Sequence, residues 1–366
     1  MNQQQSMDAM DRVDALMKQA VSDSVFSGGV LLVHKDASLV FHGAYGYSDI
    51  FSSNKISLAT IFDLASLTKP LATTLAVMRL VELGRLDINR NIGSIIHYFK
   101  NTDKAEVTIL NLLLHNSGLC DYRPYYKELF MLPPKKRKDR LRILLTKEPL
   151  INSIGKRLLY SDLGFMILAW VVEEITKTRL DDFLYNEVYS PVGIDSDSLF
   201  YIDPSAPPFE KCFAATEFCR WRNTISNGVV HDENAYAAGG IDGHSGLFGS
   251  AIAIKTLLLF LLRKYHGCQD TGPFNEDLVK SFFLRDSGTG RALGFDTPSP
   301  SGSAGGRLFS EKTVGHLGFT GTSFWMDLKR SIIVILLTNR VHPSRNNNKI
   351  KLFRPQLHDA VMAYLI

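Results

Sequence analysis

The stretch Thr313–Asn339, TVGHLGFTGTSFWMDLKRSIIVILLTN, decides the fold class. It contains three runs rich in β-branched, aromatic and aliphatic residues: Thr313–Phe319, Thr322–Asp327 and Ser331–Asn339. The last two are separated only by Leu328-Lys329-Arg330. Short apolar runs joined by tight turns predict successive antiparallel strands. Near the other end, Gly28–Val33 and Ser38–Ala44 flank His34-Lys35-Asp36-Ala37, a second hairpin pattern. Residues 45–61 read as loop with room for a short strand.

The region between is different. Leu71, Leu75, Met78 and Leu80-Val81 recur at helical spacing after Pro70, and Gly84 closes that helix. Further helices are predicted at Thr108–His115, Phe165–Thr176 and Leu180–Tyr189, with loops at Pro124–Pro134 and Asp203–Pro208. Later helices are predicted at Ile252–Tyr265, Phe274–Leu284 and Lys349–Leu365, with a surface loop at Pro298–Gly306. The first residues form an amphipathic helix with Met10, Val13, Leu16, Met17 and Ala20 on one side. The expected fold is therefore α+β. One antiparallel sheet is built from both chain ends and flanked by the N- and C-terminal helices, with a mostly helical lobe inserted. The expected lobes are residues 1–66 with 240–366, and residues 67–239, with an active site between them.

Composition narrows the function. The 366 residues are 45% hydrophobic and 21% charged, with a net charge of +4. That is globular composition without the basic excess of a nucleic-acid-binding protein. No apolar run is long enough to span a bilayer, and no basic-then-apolar leader is visible, so a cytoplasmic protein is expected. Cys120, Cys212, Cys219 and Cys268 form no CxxC pair and read as free buried thiols. The basic run Lys135–Lys138 with Arg140 and Arg142 reads as a solvated helix face, with steering of acidic substrates such as peptidoglycan fragments as the alternative.

The chemistry centres on a Ser-x-x-Lys pattern. Three matches occur: Ser52/Lys55, Ser66/Lys69 and Ser153/Lys156. Such a short pattern arises by chance, so context must select. Ser52/Lys55 sits in a polar loop and Ser153/Lys156 includes Gly155. Only Ser66/Lys69 opens an apolar helix, where residues three apart share a face and the Lys69 amine reaches the Ser66 hydroxyl. Ser66 as a plain N-cap is the competing reading. If Lys69 is buried among Leu67, Pro70 and Leu71, its pKa falls and it can act as a base. His231-Asp232-Glu233 with His244 matches no standard zinc spacing and reads as ordering a loop at the site rim. His115 reads as a loop-fixing hydrogen bonder. No metal and no cofactor is expected.

Two further patterns follow in order: Tyr160-Ser161-Asp162 before an apolar helix, and His316-Leu317-Gly318 on the first late strand. With Ser66-x-x-Lys69 they resemble the serine β-lactamase and penicillin-binding-protein superfamily. The likeness is to its class C-like branch, with D-Ala-D-Ala carboxypeptidases, D-aminopeptidases and esterases. The blocks VTILNLLLHNSGL (107–119), GGIDGHSGLFGS (239–250) and GHLGFTGTSFWMDLK (315–329) extend it across most of residues 25–345. The resemblance implies Ser66 as the acylated nucleophile, Lys69 and Tyr160 as its catalytic partners, and an oxyanion hole from the backbone N–H groups of Ser66 and Phe319. It implies substrate contacts at Asp162, His316 and Gly318. Two residues depart from the family pattern. His316 replaces a lysine, and Asp162 replaces an asparagine whose amide donates; a carboxylate cannot but can hold Lys69 as a cation. The expected enzyme is a serine hydrolase acting through an acyl-enzyme on a small ester or peptide-like amide. Alternatives are a weak β-lactamase or penicillin-binding sensor of cell-wall fragments, and an acyltransferase.

Overall fold

A computed structural model describes residues 3–203, 211–299 and 301–366. Its main feature is a six-stranded antiparallel sheet of order β3-β2-β1-β11-β10-β9. The strands are β1 (Gly28–Lys35), β2 (Ser38–Asp49), β3 (Asn54–Lys55), β9 (Thr313–Leu317), β10 (Ser323–Asp327) and β11 (Ile332–Thr338). Both chain ends build it, as the hairpin patterns predict. The join is β1 against β11, with Val30 opposite Leu337 and Val33 opposite Val334.

β1 and β11 are buried on both faces, which explains why they read as continuous apolar runs rather than alternating ones. Val30, Leu32, Ile333, Ile335 and Leu337 enter the larger core. Leu31, Val33, Ile332, Val334 and Leu336 point the other way. There they meet Val13 and Met17 of the N-terminal helix Gln3–Ser22, and Phe353, Leu357 and Val361 of the helix Ile350–Leu365. The opposite face is covered by the helix Ala251–Tyr265. Each fully buried Leu, Ile or Val contributes about 1.5–3 kcal/mol, so this double layer is a rigid base for whatever it carries.

The inserted lobe is mostly helical. The helix Asp162–Thr176 starts three residues before the predicted Phe165, because the Ser161 hydroxyl caps it by accepting from the Gly164 N–H. Thr108 caps Ile109–Leu113 through a reciprocal capping box with Asn111. The predicted helix over Leu180–Tyr189 divides into an α turn (Leu180–Leu184) and a π turn (Tyr185–Tyr189). The loop read at Pro124–Pro134 contains a one-turn helix, Tyr126–Leu129. Past Asp203, the loop expected at Asp203–Pro208 lies outside the described residues; Pro298–Gly306 carries no helix or strand at the positions described.

The basic run lies on the helix Pro134–Lys147 and is less solvated than expected. Lys138 and Arg142 both pair with Glu173 of the neighbouring helix, at 2.6 Å each. Of the four free cysteines only Cys120 and Cys219 are buried; Cys212 is exposed and Cys268 half-buried, which corrects the expectation of four buried thiols.

Two small sheets were not legible in the sequence. One has the order β4-β8-β5, from β4 (Phe62–Asp63), β5 (Leu199–Tyr201) and β8 (Leu247–Gly249); the other pairs β6 (Phe218–Cys219) with β7 (Thr224–Ile225). The first fixes the segment entering Ser66. Phe62 pairs with Gly249, and the Leu64 N–H donates to the Leu247 carbonyl at 2.9 Å. From the main sheet, Thr320 Oγ1 donates to the Asp63 carbonyl (2.8 Å) and Thr322 Oγ1 to the Leu64 carbonyl (3.2 Å).

Candidate active site

Ser66 sits where that doubly anchored segment turns into a helix. The turn is not the regular helix start its spacing predicts. Ala65–Leu67 is a 3₁₀ turn, Lys69–Thr73 a π turn, and α geometry begins at Thr74. Pro70 has no N–H to give to an i−4 bond, and the wider π turn accommodates it. Ala65 is left-handed, with φ at 48°, a conformation costing an alanine about 1–2 kcal/mol. It is held there by its N–H donating to Asp63 Oδ1 (2.8 Å) and by Thr68 Oγ1 donating to its carbonyl (2.6 Å). The other Asp63 oxygen accepts the His231 N–H at 2.6 Å, tying the serine turn to the His231–Glu233 segment.

Lys69 Nζ is fully buried and donates three hydrogen bonds: to Ser66 Oγ at 3.2 Å, to Asp162 Oδ1 at 2.7 Å and to the His244 carbonyl at 3.0 Å. Burial alone would push the amine down. The adjacent Asp162 carboxylate, together with Tyr160, outweighs it, and the net direction is up. The expectation of a buried, lowered lysine base is therefore corrected: Lys69 is held as a cation. Asp162 is placed for this as the first residue of its helix, where the dipole favours a carboxylate.

Tyr160 lies two residues before Asp162, and Lys69 Nζ is 4.9 Å from the centroid of its ring. The Tyr160 hydroxyl oxygen is buried and has no hydrogen-bond partner among the described residues. The loop that carries it is fixed by His115, whose Nδ1 accepts the Ser161 N–H at 3.0 Å and whose ring lies 4.5 Å from that of Tyr160.

On the sheet side, Gly318 enters a tight turn. A Cβ there would come 2.0 Å from Thr322 Oγ1 and 2.7 Å from the Leu64 carbonyl, so no side chain fits. Arg354 donates to the Gly318 and Thr322 carbonyls (3.3 and 2.8 Å). Arg340 grips the Phe319 carbonyl through Nε and Nη2 (2.9 and 2.6 Å). The Phe319 peptide is thereby oriented, and its N–H has no partner among the described residues.

Ser66, Tyr160, Asp162 and Phe319 line one cavity of about 350 Å³. His316 does not. Its ring is 3% exposed, with Nδ1 2.9 Å from the Leu317 carbonyl. Burial, with Arg291 and Lys69 nearby, holds it well below the usual histidine range and so neutral.

The cavity also has residues that sequence reasoning placed only at a rim. His231, Asp232, Glu233 and His244 line it, together with Tyr122 and Arg345. His244 is clamped by Asp232 (2.9 Å) and Asp242 (3.5 Å). Burial opposes its charge, but the two carboxylates win and raise it to about 10. No group of three or more metal-ligating side chains could hold an ion among the described residues.

The model of the Beta-lactamase family matches residues 13–355. The N-acetylmuramyl-L-alanine amidase of Bacillus subtilis (strain 168) is 30% identical over 372 residues, covering 92% of this chain and 83% of that protein. Among solved structures, EstCE1, a hydrolase with promiscuous acyltransferase activity, superposes with a TM-score of 0.77 at 19% identity, covering 98% of this chain and 99% of the other. The octameric penicillin-binding protein homologue from Pyrococcus abyssi gives 0.71 at 19% identity, over 94% of this chain and 76% of that one. At those identities the likeness is one of fold. With a family match across nearly the whole length, the chain belongs to the Beta-lactamase family and is a β-lactamase-related serine hydrolase.

Proposed function

We propose that Ser66 is the nucleophile and that the enzyme cleaves a peptide-like amide or a small ester through an acyl-enzyme on it. The observation that carries this reading is the chain of contacts Ser66 Oγ–Lys69 Nζ–Asp162 Oδ1 beside a single cavity. A lysine held as a cation is a poor proton acceptor, so the base role falls to Tyr160, whose free hydroxyl oxygen shares the cavity. Lys69 supports it by placing positive charge beside the ring.

In the reading's first half, Tyr160 acts as the phenolate beside the Lys69 ammonium, and Ser66 Oγ bonds to the substrate carbonyl carbon while its proton passes to the Tyr160 oxygen, giving the phenol. The tetrahedral oxyanion accepts from the N–H groups of Ser66 and Phe319. The bond to the leaving nitrogen or oxygen then breaks as Tyr160 returns the proton to it. In the second half a water gives its proton to Tyr160, its oxygen bonds to the acyl carbon, and Ser66 departs with that proton.

An amide joining an N-acetylmuramyl group to L-alanine is the first substrate to try, on the strength of the Bacillus relative's name. The same reading divides the chain into an α/β lobe (residues 1–66 and 240–366) and a helical lobe (67–239) that meet at the cavity. A reducing, cytoplasmic setting is supported by four cysteines that form no disulfide; no helix among the described residues is long and apolar enough to cross a membrane. The test is labelling with a fluorophosphonate, alongside hydrolysis of muropeptide amides and aryl esters by wild type and Ser66→Ala. Modification of Ser66, with turnover lost in the variant, is expected. Turnover that survives the substitution would overturn the assignment.

A further inference from the structure

One wall of the cavity has no part in the acyl-transfer scheme. It consists of Asp232 and Glu233 with Tyr122 and Arg345, and its charges can be followed individually. Asp162 Oδ1 accepts from Lys69, Asp232 Oδ1 from His244 and the Ala235 N–H, and Glu233 Oε1 from Arg345. In each carboxylate the second oxygen accepts nothing from protein among the described residues. Three carboxylates therefore offer acceptor capacity to the same space as Ser66.

The cations around that space are all committed. Lys69 is paired with Asp162, His244 lies between Asp232 and Asp242, and Arg345 bridges Glu217 and Glu233. Those three cations answer to five carboxylates; His231, also on the lining, lies 3.4 Å from Glu217, and Arg340 behind Phe319 is committed to main-chain carbonyls. His316 adds no charge, because its buried ring faces the Leu317 carbonyl and not the cavity. The Tyr122 hydroxyl registers the same field. Burial raises it, and Asp232 and Glu233 raise it further. Beside Ser66 the Tyr160 hydroxyl oxygen is buried without a hydrogen-bond partner among the described residues, and a phenol or phenolate gives a substrate anion no compensating cation.

We infer that this cavity accepts substrates whose groups flanking the scissile bond are neutral or carry an ammonium, and rejects those with a free carboxylate there. The inference rests on the Ser66 acyl-enzyme reading and names the substrate class for that site. It favours the internal linkage of a longer peptide or glycopeptide, an amidated terminus or an amino-bearing ester. It disfavours release of a C-terminal amino acid. The cause is electrostatic: like charges in a partly desolvated space repel strongly and lack a neutralising partner.

The test uses three phenyl acetates that differ only in a meta substituent on the leaving phenol: carboxylate, carboxamide and aminomethyl. Each kcat/KM is normalised to the ester's own hydroxide-catalysed rate. The carboxylate ester is expected to be at least about 10-fold slower than the carboxamide, and the aminomethyl ester equal to it or faster. The discrimination is expected to shrink in about 1 M salt, where charge is screened within about 3 Å. It is also expected to shrink in Glu233→Gln, which removes one carboxylate and leaves Arg345 paired with Glu217 alone. A carboxylate ester cleaved as fast as the carboxamide, or a ratio insensitive to both salt and Glu233→Gln, overturns the inference while leaving the nucleophile standing. If none of the esters turns over, the labelling rates of Ser66 by an anionic and a neutral fluorophosphonate carry the same comparison. Absence of labelling by either overturns the acyl-enzyme reading and this inference with it.

Discussion

The serine turn and the Gly318 turn pack against each other beside one cavity, yet they are held by opposite means. At the serine turn the decisive contacts are charged: a buried ammonium between a hydroxyl, a carboxylate and a carbonyl. At the Gly318 turn they are steric and directional. A glycine has no room for a methyl group, and two arginines grip main-chain carbonyls rather than carboxylates. In the proposed mechanism the first region sets which proton can move and the second where a carbonyl oxygen sits. Changes in the first should therefore respond to pH, and changes in the second should not.

Four experiments probe that contrast, in falling order of effect. Ser66→Ala should lower kcat by roughly 10⁴-fold or more with the fold intact by circular dichroism; a loss below tenfold would show that the serine turn is not where the bond is broken. Gly318→Ala forces the turn away from Thr322 and Leu64 and should lower kcat by about 10²–10³-fold, the range for losing one oxyanion donor. The pH–rate profile of that variant should keep its shape, and a displaced limb would contradict the steric account.

Asp162→Asn should lower kcat/KM by about 10–10²-fold, with a different signature. Without the carboxylate, only Tyr160 is left to oppose the burial that pushes the Lys69 amine down, so the alkaline limb of the profile should move to lower pH. An unmoved limb would break the charge argument.

The smallest effect concerns stability. His244 is raised to about 10 in the folded protein from an ordinary value of 6.5. Its ion pair should contribute fully below about pH 6.5 and be lost as pH climbs through 10, because only the imidazolium is stabilised. Asp232 is held well below the usual carboxylate range, so its share persists until strong acid. Wild-type Tm should fall by roughly 2–4 °C between about pH 7 and 10 relative to His244→Gln. Parallel curves for the two proteins would dismiss the clamp.

Legibility in the sequence followed the same division. Strands buried on both faces, such as β1 and β11, announce themselves as unbroken apolar runs, and capped helices such as Ile109–Leu113 begin where Thr108 predicts. The Ser66, Tyr160 and His316 patterns were legible because each is a local string. What was not legible depends on partners distant in sequence. Lys69 could be read as a base lowered by its apolar neighbours or as a cation held by Asp162, and only the fold, which brings Asp162 in across 93 residues, decides between them. Arg340 and Arg354 carry no local signature of gripping residues 318–322. His231-Asp232-Glu233 stood out as a cluster, but its place on the cavity wall depends on Asp63, which accepts the His231 N–H across 168 residues. β4 and β8 are two and three residues long, too short for any periodicity.

The pairing of β1 with β11 also has a consequence in time. Val30 and its partner Leu337 are separated by some three hundred positions, so β1 and β2 leave the ribosome long before the strand that completes them. Loop closure over such a distance is slow, and an apolar strand with an open edge is exposed to the wrong partners meanwhile. The carbonyls of Asp63 and Leu64 wait equally long for Thr320 and Thr322. The proposed nucleophile can therefore be translated early, yet the segment that carries it gains its anchors only once residues 320 and 322 have been made.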